Sequence, residues 1–415
     1  MHRQSNETIG ISRNGTYVSH RPASLNTLFS SPFAWLIGFV LVASFWSTAF
    51  VEIGSALLIL LFLFTRLRAY RNDPAPESTT TLSLRACLVP LVLWSGYVCG
   101  IILSFVASGT SPFRHPGLLW HPLVFPAVLL QRLRTDDLRR IGKGVVVSAA
   151  IASLVTLFRF YHLGETKQFS TSVGLTTFAE LIALGGIVAA FLLGNTRERS
   201  GVRILIACAC LGLFLTTLWT IEITAIGMFV LAGILTVSTW RPRQQFAALA
   251  VLLLVLFVSP RDDKTKVLWM VHGHQIDRYV AWKEGFKLLP NVPLFGFGPD
   301  CYTRVLPAEA WSKFANRPPG SWHNDFLQTA LDSGYVALGC LAGLVLAALA
   351  TSVSGSLRTK DPERRNLLRS SGLLLVCMIG FALVGGVVTT AILGVVFWVV
   401  LGVTLQLALD VPPTD

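Results

Sequence analysis

The chain has 415 residues, a mass of 45.3 kDa and a composition that is 53% hydrophobic and only 13% charged. A soluble domain carries roughly 25% charged residues, so a single soluble globule and a disordered chain are both excluded. The net charge of +12 is explained by basic loops that set membrane topology, so it does not call for a nucleic-acid partner. Twelve spans of about 20 residues would use about 240 residues, which fits the length. The apolar runs are continuous, whereas the strands of a membrane barrel alternate.

In chain order, a polar, basic stretch to about Ser31 precedes the first apolar run, and no short core with a cleavage site follows it, so no signal peptide is expected. Spans are expected at about Pro32–Trp46, Glu52–Phe64, Ala86–Ala107 and Gly117–Leu130; the last holds His121, Pro122 and Pro126 and should be kinked or short. The next five are Ile141–Phe158, Val173–Leu193, Ile204–Trp219, Ala225–Val237 and Phe246–Val258. A loop of about 65 residues, Ser259 to Asn324, follows. The last three spans are Leu327–Ala350, Leu373–Val387 and Ala391–Leu409.

The cations sort by connector. Those before the first span and between even and odd spans hold 22 of the 34 Lys and Arg; the short odd-to-even connectors hold Arg114, Arg159 and Lys167, and the long loop nine. The positive-inside rule then gives an all-α polytopic membrane protein of about twelve transmembrane helices, N-in and C-in. Its segments are a cytoplasmic tail 1–31, helices 1–9 over 32–258, an outer loop 259–324 with short helices, helices 10–12 over 325–409, and a cytoplasmic tail 410–415.

Six of the seven cysteines fall in or beside apolar runs, and Cys301 lies in the long loop, with no disulfide framework or zinc spacing. The eight histidines are scattered, Asp262-Asp263 lacks a spaced partner, and no metal or other cofactor is expected.

Three patches of the long loop carry the chemistry. In Asp277-Arg278-Tyr279-Val280-Ala281-Trp282-Lys283-Glu284, helical spacing puts Arg278, Trp282 and Phe286 on one face. A guanidinium there holds two phosphate oxygens at once, with Trp282 at the lipid headgroups; the alternative is a surface amphipathic helix. The glycines of Pro293-Leu-Phe-Gly296-Phe-Gly298 follow a helix and lack a following Lys-Ser or Lys-Thr, so they read as a turn that brings backbone close to something. In Ser321-Trp322-His323-Asn324-Asp325, His323 begins a polar stripe of Asn324, Gln328 and Asp332 at four-residue spacing. Its imidazole titrates near working pH and suits a general base, with Asp325 or Asp332 orienting it; an interfacial histidine bonded to a loop carbonyl is the alternative. Glu180 near the middle of the sixth span and Arg159 at the outer end of the fifth are further candidates, the second as an anion contact or as a cation reaching the headgroups.

These residues, in this order, resemble the bacterial O-antigen ligase and polymerase superfamily: Arg278 and Trp282, then Pro293-Leu-Phe-Gly296-Phe-Gly298, then His323-Asn324-Asp-Phe-Leu327-Gln328 with Gly334. The resemblance implies an enzyme of the bacterial inner membrane with its active site facing the periplasm. The donor would be a polysaccharide on undecaprenyl diphosphate and the acceptor lipid A–core, with His323 as base and Arg278 on the diphosphate. Asn324, Arg159 and Trp282 would complete the substrate contacts. An O-antigen polymerase or a protein O-oligosaccharyltransferase is the alternative within the class, and a lipid-linked glycan transporter the alternative outside it. One departure stands out: in Thr220-Ile221-Glu222-Ile223-Thr224-Ala225, Ile223 occupies the place where the superfamily carries an arginine.

Overall fold

The computed structural model describes residues 31–72, 85–112, 115–162, 175–194, 200–220, 223–237, 277–311, 313–314 and 321–410. The expected ninth span, Phe246–Val258, and the stretch from Ser259 to Ile276 lie outside the described residues, as does the side chain of Ile223. Among the described residues the fold is all-helical, and eight helices are long and apolar enough to cross a membrane. The chain is a multi-pass membrane protein.

Helix α1 (Pro32–Ala43) starts at Ser31, whose hydroxyl accepts the Ala34 N–H at 3.2 Å, with proline at the first helical position. It packs on α2 (Thr48–Asn72), forming a helical hairpin. Helix α3 (Leu88–Ser108) stops at Gly109, which is left-handed (φ 65°). The fourth segment is broken as its prolines require: α4 (Pro116–Trp120), a 3₁₀ turn at His121–Leu123, then α5 (Val124–Leu129). Helices α6 (Thr135–His162), α7 (Leu175–Gly194), α8 (Ser200–Thr220) and α9 (Ile223–Val237) follow. Residues 277–288 form α10; α11 (Tyr302–Val305) and α12 (Ala308–Trp311) are single turns. Helices α13 (Asp325–Arg358), α14 (Pro362–Val384) and α15 (Ala391–Leu409) end the bundle.

Several helices outrun the apolar stretches read from the sequence. Helix α6 begins six residues before Ile141, with Asp136 and Asp137 in its first turn where the helix dipole favours them. Helix α14 begins at Pro362, capped by the Asp361 carboxylate on the Glu363 N–H at 3.0 Å. Hydropathy sees only the part of a helix that lipid or core would take; caps and polar turns extend it.

Burial ranks the helices. In the apolar window of α15, 83% of residues are buried, against 22% for α2, so α15 is the central post and α2 faces outward. Trp398 of α15 sits between Tyr97 and Phe125, with ring centroids 5.4 and 6.0 Å away. Leu60, Phe64, Val106, Leu154 and Leu346 are exposed on the outer faces, the surface that lipid covers in a membrane protein. Helix α3 meets α13 through small residues: a methyl group added at Gly100 would lie 2.9 Å from the Ala337 side chain.

Polar contacts sort the connectors to two ends of the bundle. At one end, Asp410 pairs with Arg132 at 2.9 Å and Arg364 at 3.1 Å, and Arg139 pairs with Glu363. The segments around Arg132, Glu363 and Asp410 therefore meet there. Parts of the segments before α4 and between α14 and α15 line one cavity with Arg278 of α10.

Between α10 and α13 the chain builds its own small core. Ala281, Cys301, Tyr302, Leu306, Ala310, Phe314, Trp322, Leu327 and Leu331 are buried together. Cys301, read from the sequence as a loop residue, is fully buried in it. Burial, and next the Asp332 carboxylate, push its thiol strongly up, so it stays protonated.

Candidate functional site

Helix α10 presents Asp277, Ala281, Glu284 and Gly285 inward, positions i, i+4, i+7 and i+8 of one face. Gly285 lets the helix sit on Trp322: an added methyl group would come within 2.9 Å of its ring. Arg278 and Trp282 are half-buried on the flank of this face, and Phe286 is exposed. The sequence-expected stripe is therefore split. Trp282 turns its indole N–H inward, donating to the carbonyl oxygens of Trp322 (2.9 Å) and His323 (3.3 Å). Glu284 accepts from Lys287 at 2.9 Å and Lys313 at 3.0 Å. Those hydrogen bonds hold its carboxyl below the usual carboxylate range.

The glycine turn docks into a break in α13. Gly334 has φ 80° and ψ 179°, which interrupts the helix and frees carbonyls one turn earlier. The Phe297 N–H donates to the Leu331 carbonyl at 2.7 Å, and the Gly298 N–H to the Asp332 carbonyl at 3.1 Å. The freed acceptors are thereby satisfied. Approach is so close that a methyl group at Gly296 (φ 75°) would meet the Asp332 carbonyl and lie 2.6 Å from the Ser333 nitrogen. Arg304 clamps the turn from outside, donating to the carbonyls of Phe297 and Pro299, each at 3.2 Å.

The stripe that begins at His323 is a structural network as well as a cavity wall. Asn324 caps α13 by accepting the Leu327 N–H at 2.9 Å, and its amide donates to the Leu383 carbonyl at 2.9 Å. Asp325 accepts the N–H groups of Val387 (2.6 Å) and Val388 (2.7 Å) and the Thr389 hydroxyl (2.9 Å). Asp332 accepts the Cys301 N–H at 3.1 Å and the Gln328 amide, and Gln328 accepts the Trp322 N–H at 3.0 Å. Asp325 and Asp332, expected to orient the imidazole, thus tie the α14–α15 loop and the small core to α13.

These ties border an open cavity of about 460 Å³, within the ~300–1,000 Å³ range of small-molecule sites. Arg278 and His323, the two residues singled out as base and anion contact, line it together. Its other walls come from distant segments: His115 and Leu118 before and on α4, Thr176, Thr177 and Glu180 on α7, Asp300 and Ser321, Gln328 and Asp332 on α13, and Gly385, Gly386, Thr389 and Thr390 of the α14–α15 loop. Among the described residues, Asp300 (φ 54°) and His323 (φ 49°) are the non-glycine positions with positive φ, and both face this cavity. Backbone held in a sparsely populated region costs about 1–3 kcal/mol and clusters at functional sites. Arg159 stands half-buried in the last turn of α6, apart from the cavity lining.

Sequence reading did not single out His115, Asp300 or the threonines. For Thr176, Thr177 and Glu180 the signal was present, since the i and i+4 spacing puts Thr176 and Glu180 on one helical face. For the others no local pattern exists; only the fold brings them in.

Among the described residues, no three His, Cys, Asp or Glu side chains converge as metal ligands.

Residues 171–342 match a family model described as O-Antigen ligase. Over that stretch the chain is similar to the O-antigen ligase/polymerase superfamily. The matched stretch runs from shortly before α7 to the middle of α13, and so spans Glu180, Arg278, the glycine turn, His323 and Gly334. Members of this superfamily are ligases and polymerases of the glycosyltransferase type, which take lipid-linked glycans and lipid acceptors. No curated protein matches the chain.

Proposed function

We propose that this protein is an O-antigen ligase of the bacterial inner membrane. It transfers a polysaccharide from undecaprenyl diphosphate to a hydroxyl of lipid A–core, at a site on the periplasmic face. The observation that carries the reading is the single cavity lined by both Arg278 and His323, inside the stretch matched to the family.

In this reading His323 takes the proton of an acceptor hydroxyl. The acceptor oxygen attacks the anomeric carbon, the bond from that carbon to the phosphate oxygen breaks, and the diphosphate leaves with the electron pair. Arg278 offsets the charge that grows on it. Attack opposite the leaving group inverts the anomeric centre, and no covalent glycosyl carboxylate is needed. No step uses a metal. Asn324 and Trp282 serve by fixing the backbone around His323, and Arg159 would meet anionic headgroups beside the site.

Reconstitution with lipid-linked glycan and lipid A–core tests the proposal. His323→Ala and Arg278→Ala should each lose transfer by about 100-fold or more, the scale of a general base or a fixed charge at the reacting centre. NMR of the product should show the inverted linkage. Transfer by His323→Ala at the unaltered rate removes the mechanism. Transfer to a second glycan lipid in place of lipid A–core would make the protein a polymerase.

A further inference from the structure

Among the described residues, four side chains that line the cavity can donate from nitrogen: Arg278, His323, Gln328 and His115. Three have a place already. Gln328 gives its amide to Asp332, His323 is the base of the proposed reaction, and Arg278 is its anion contact. His115 is left over. It precedes Pro116, which keeps it out of the helical region; its backbone sits at φ −134° and ψ 56°, and its side chain makes no capping bond. The half-buried imidazole has no hydrogen bond, ion pair or ring contact in the fold, and the Arg278 guanidinium shares that condition. The segment that carries His115 is nevertheless held in place. The Trp94 indole N–H donates to the Pro122 carbonyl at 2.8 Å, and a methyl group added at Gly117 would lie 2.7 Å from the His121 ring. A donor without a protein partner, on a fixed segment, is preorganised for a ligand.

The chemistry of an imidazole suits this task. It keeps one N–H when neutral and has two when charged, so His115 can donate in either protonation state. The donor of the proposed reaction carries two phosphoryl groups. One guanidinium fork matches two oxygens of a single phosphate, which leaves the other phosphate in need of a donor. The lining also carries the carboxyl groups of Glu180, Asp300 and Asp332. A phosphate in such company must be held by the nitrogen donors, so a second one matters. We infer that His115 binds the second phosphoryl group of the lipid-linked donor, the one that Arg278 does not hold. The inference rests on the proposed function and deepens it. It adds a donor-binding residue from the α3–α4 segment, outside the stretch 171–342 that matches the family.

The test is equilibrium binding, which needs no turnover. The full chain in lipid nanodiscs is titrated separately with undecaprenyl monophosphate and with undecaprenyl diphosphate, neither carrying a sugar. The unaltered protein should hold the diphosphate about 10-fold more tightly, the scale of one hydrogen bond to a charged group. His115→Ala should erase that preference and leave monophosphate affinity unchanged. So should His115→Phe, which keeps a ring but has no N–H. His115→Gln, whose amide still donates, should retain part of the preference. Because the imidazole bonds to nothing in the fold, its removal strands no partner, and retained monophosphate binding certifies that each variant is folded. If His115→Ala or His115→Phe keeps the full preference, or if all three variants weaken both lipids equally, the assignment of His115 is overturned and the proposed function stands. An unaltered protein that binds both lipids equally well overturns it too. If the unaltered chain binds neither lipid, the functional reading itself fails.

Discussion

Replacing Gly334 by alanine should undock the glycine turn and dismantle the cavity. Gly334 holds φ 80° and ψ 179°, a region that is essentially glycine's alone, at a cost of about 1–3 kcal/mol for any other residue. The new methyl group would also press on the Leu294 carbonyl and sit 2.6 Å from the Gly296 nitrogen. These neighbours are backbone, so they cannot swing aside. Relief means lifting the turn away, which gives up the bonds from Phe297 to Leu331 and from Gly298 to Asp332, about 1 kcal/mol each. The sum is about 3–5 kcal/mol, a large part of the roughly 5–15 kcal/mol that holds a domain folded. It falls on one loop. Limited proteolysis of the purified protein should show new cleavage between 289 and 300, and reconstituted transfer should be lost. Gly339 on the same helix is the control. Nothing lies within 4 Å of its added methyl group, so Gly339→Ala should stabilise by about 0.5–1 kcal/mol and leave transfer intact. A Gly334→Ala protein that resists protease and transfers as the unaltered one does would refute this account of the docked turn.

Two further outcomes are expected. Trp282→Phe keeps an aromatic ring but removes the N–H that holds the Trp322 and His323 carbonyls; transfer should fall about fivefold, since about 1 kcal/mol of support for a left-handed His323 is gone, while thermal melting moves little. An unchanged rate would show that His323 is placed by other means. Glu284 titrates below its ordinary value of 4.5 because Lys287 and Lys313 bond to its charged form. A depressed carboxylate adds stability that is fully present above the unfolded value and is lost as pH falls through the folded one. Melting curves should therefore lose this increment on acidification below about pH 4.5, and Glu284→Gln should flatten that acid limb. Identical acid limbs would count against the pairing.

The apolar runs announced most of the bundle, because lipid and core demand the same continuous hydrophobicity that the sequence displays. The prolines at 122 and 126 announced the broken fourth segment for a local steric reason. The site was legible in parts. His323, Arg278 and the glycine turn were visible as residue types suited to proton transfer, anion binding and close backbone approach. What the turn approaches was not visible: Leu-Asp-Ser-Gly-Tyr reads locally as helix, and the break at Gly334 makes sense only with the turn docked from nearly forty residues away. Asn324 was read only as part of the polar stripe and as a substrate contact; its duty as the cap of α13 emerges with the Leu327 N–H that it accepts. The small core around Cys301 escaped because its members are scattered singly through a polar stretch.

The walls of the cavity come from places in the chain as far apart as His115 and Thr390, and the stretch matched to the family covers only 171–342. Excising that stretch, or grafting it into a foreign bundle, would leave out His115, Leu118 and the 385–390 bend that Asp325 anchors. Evolution of new specificity in this protein is thus open to substitutions in segments remote from the signature residues, while transplanting the signature alone would carry over an incomplete vessel.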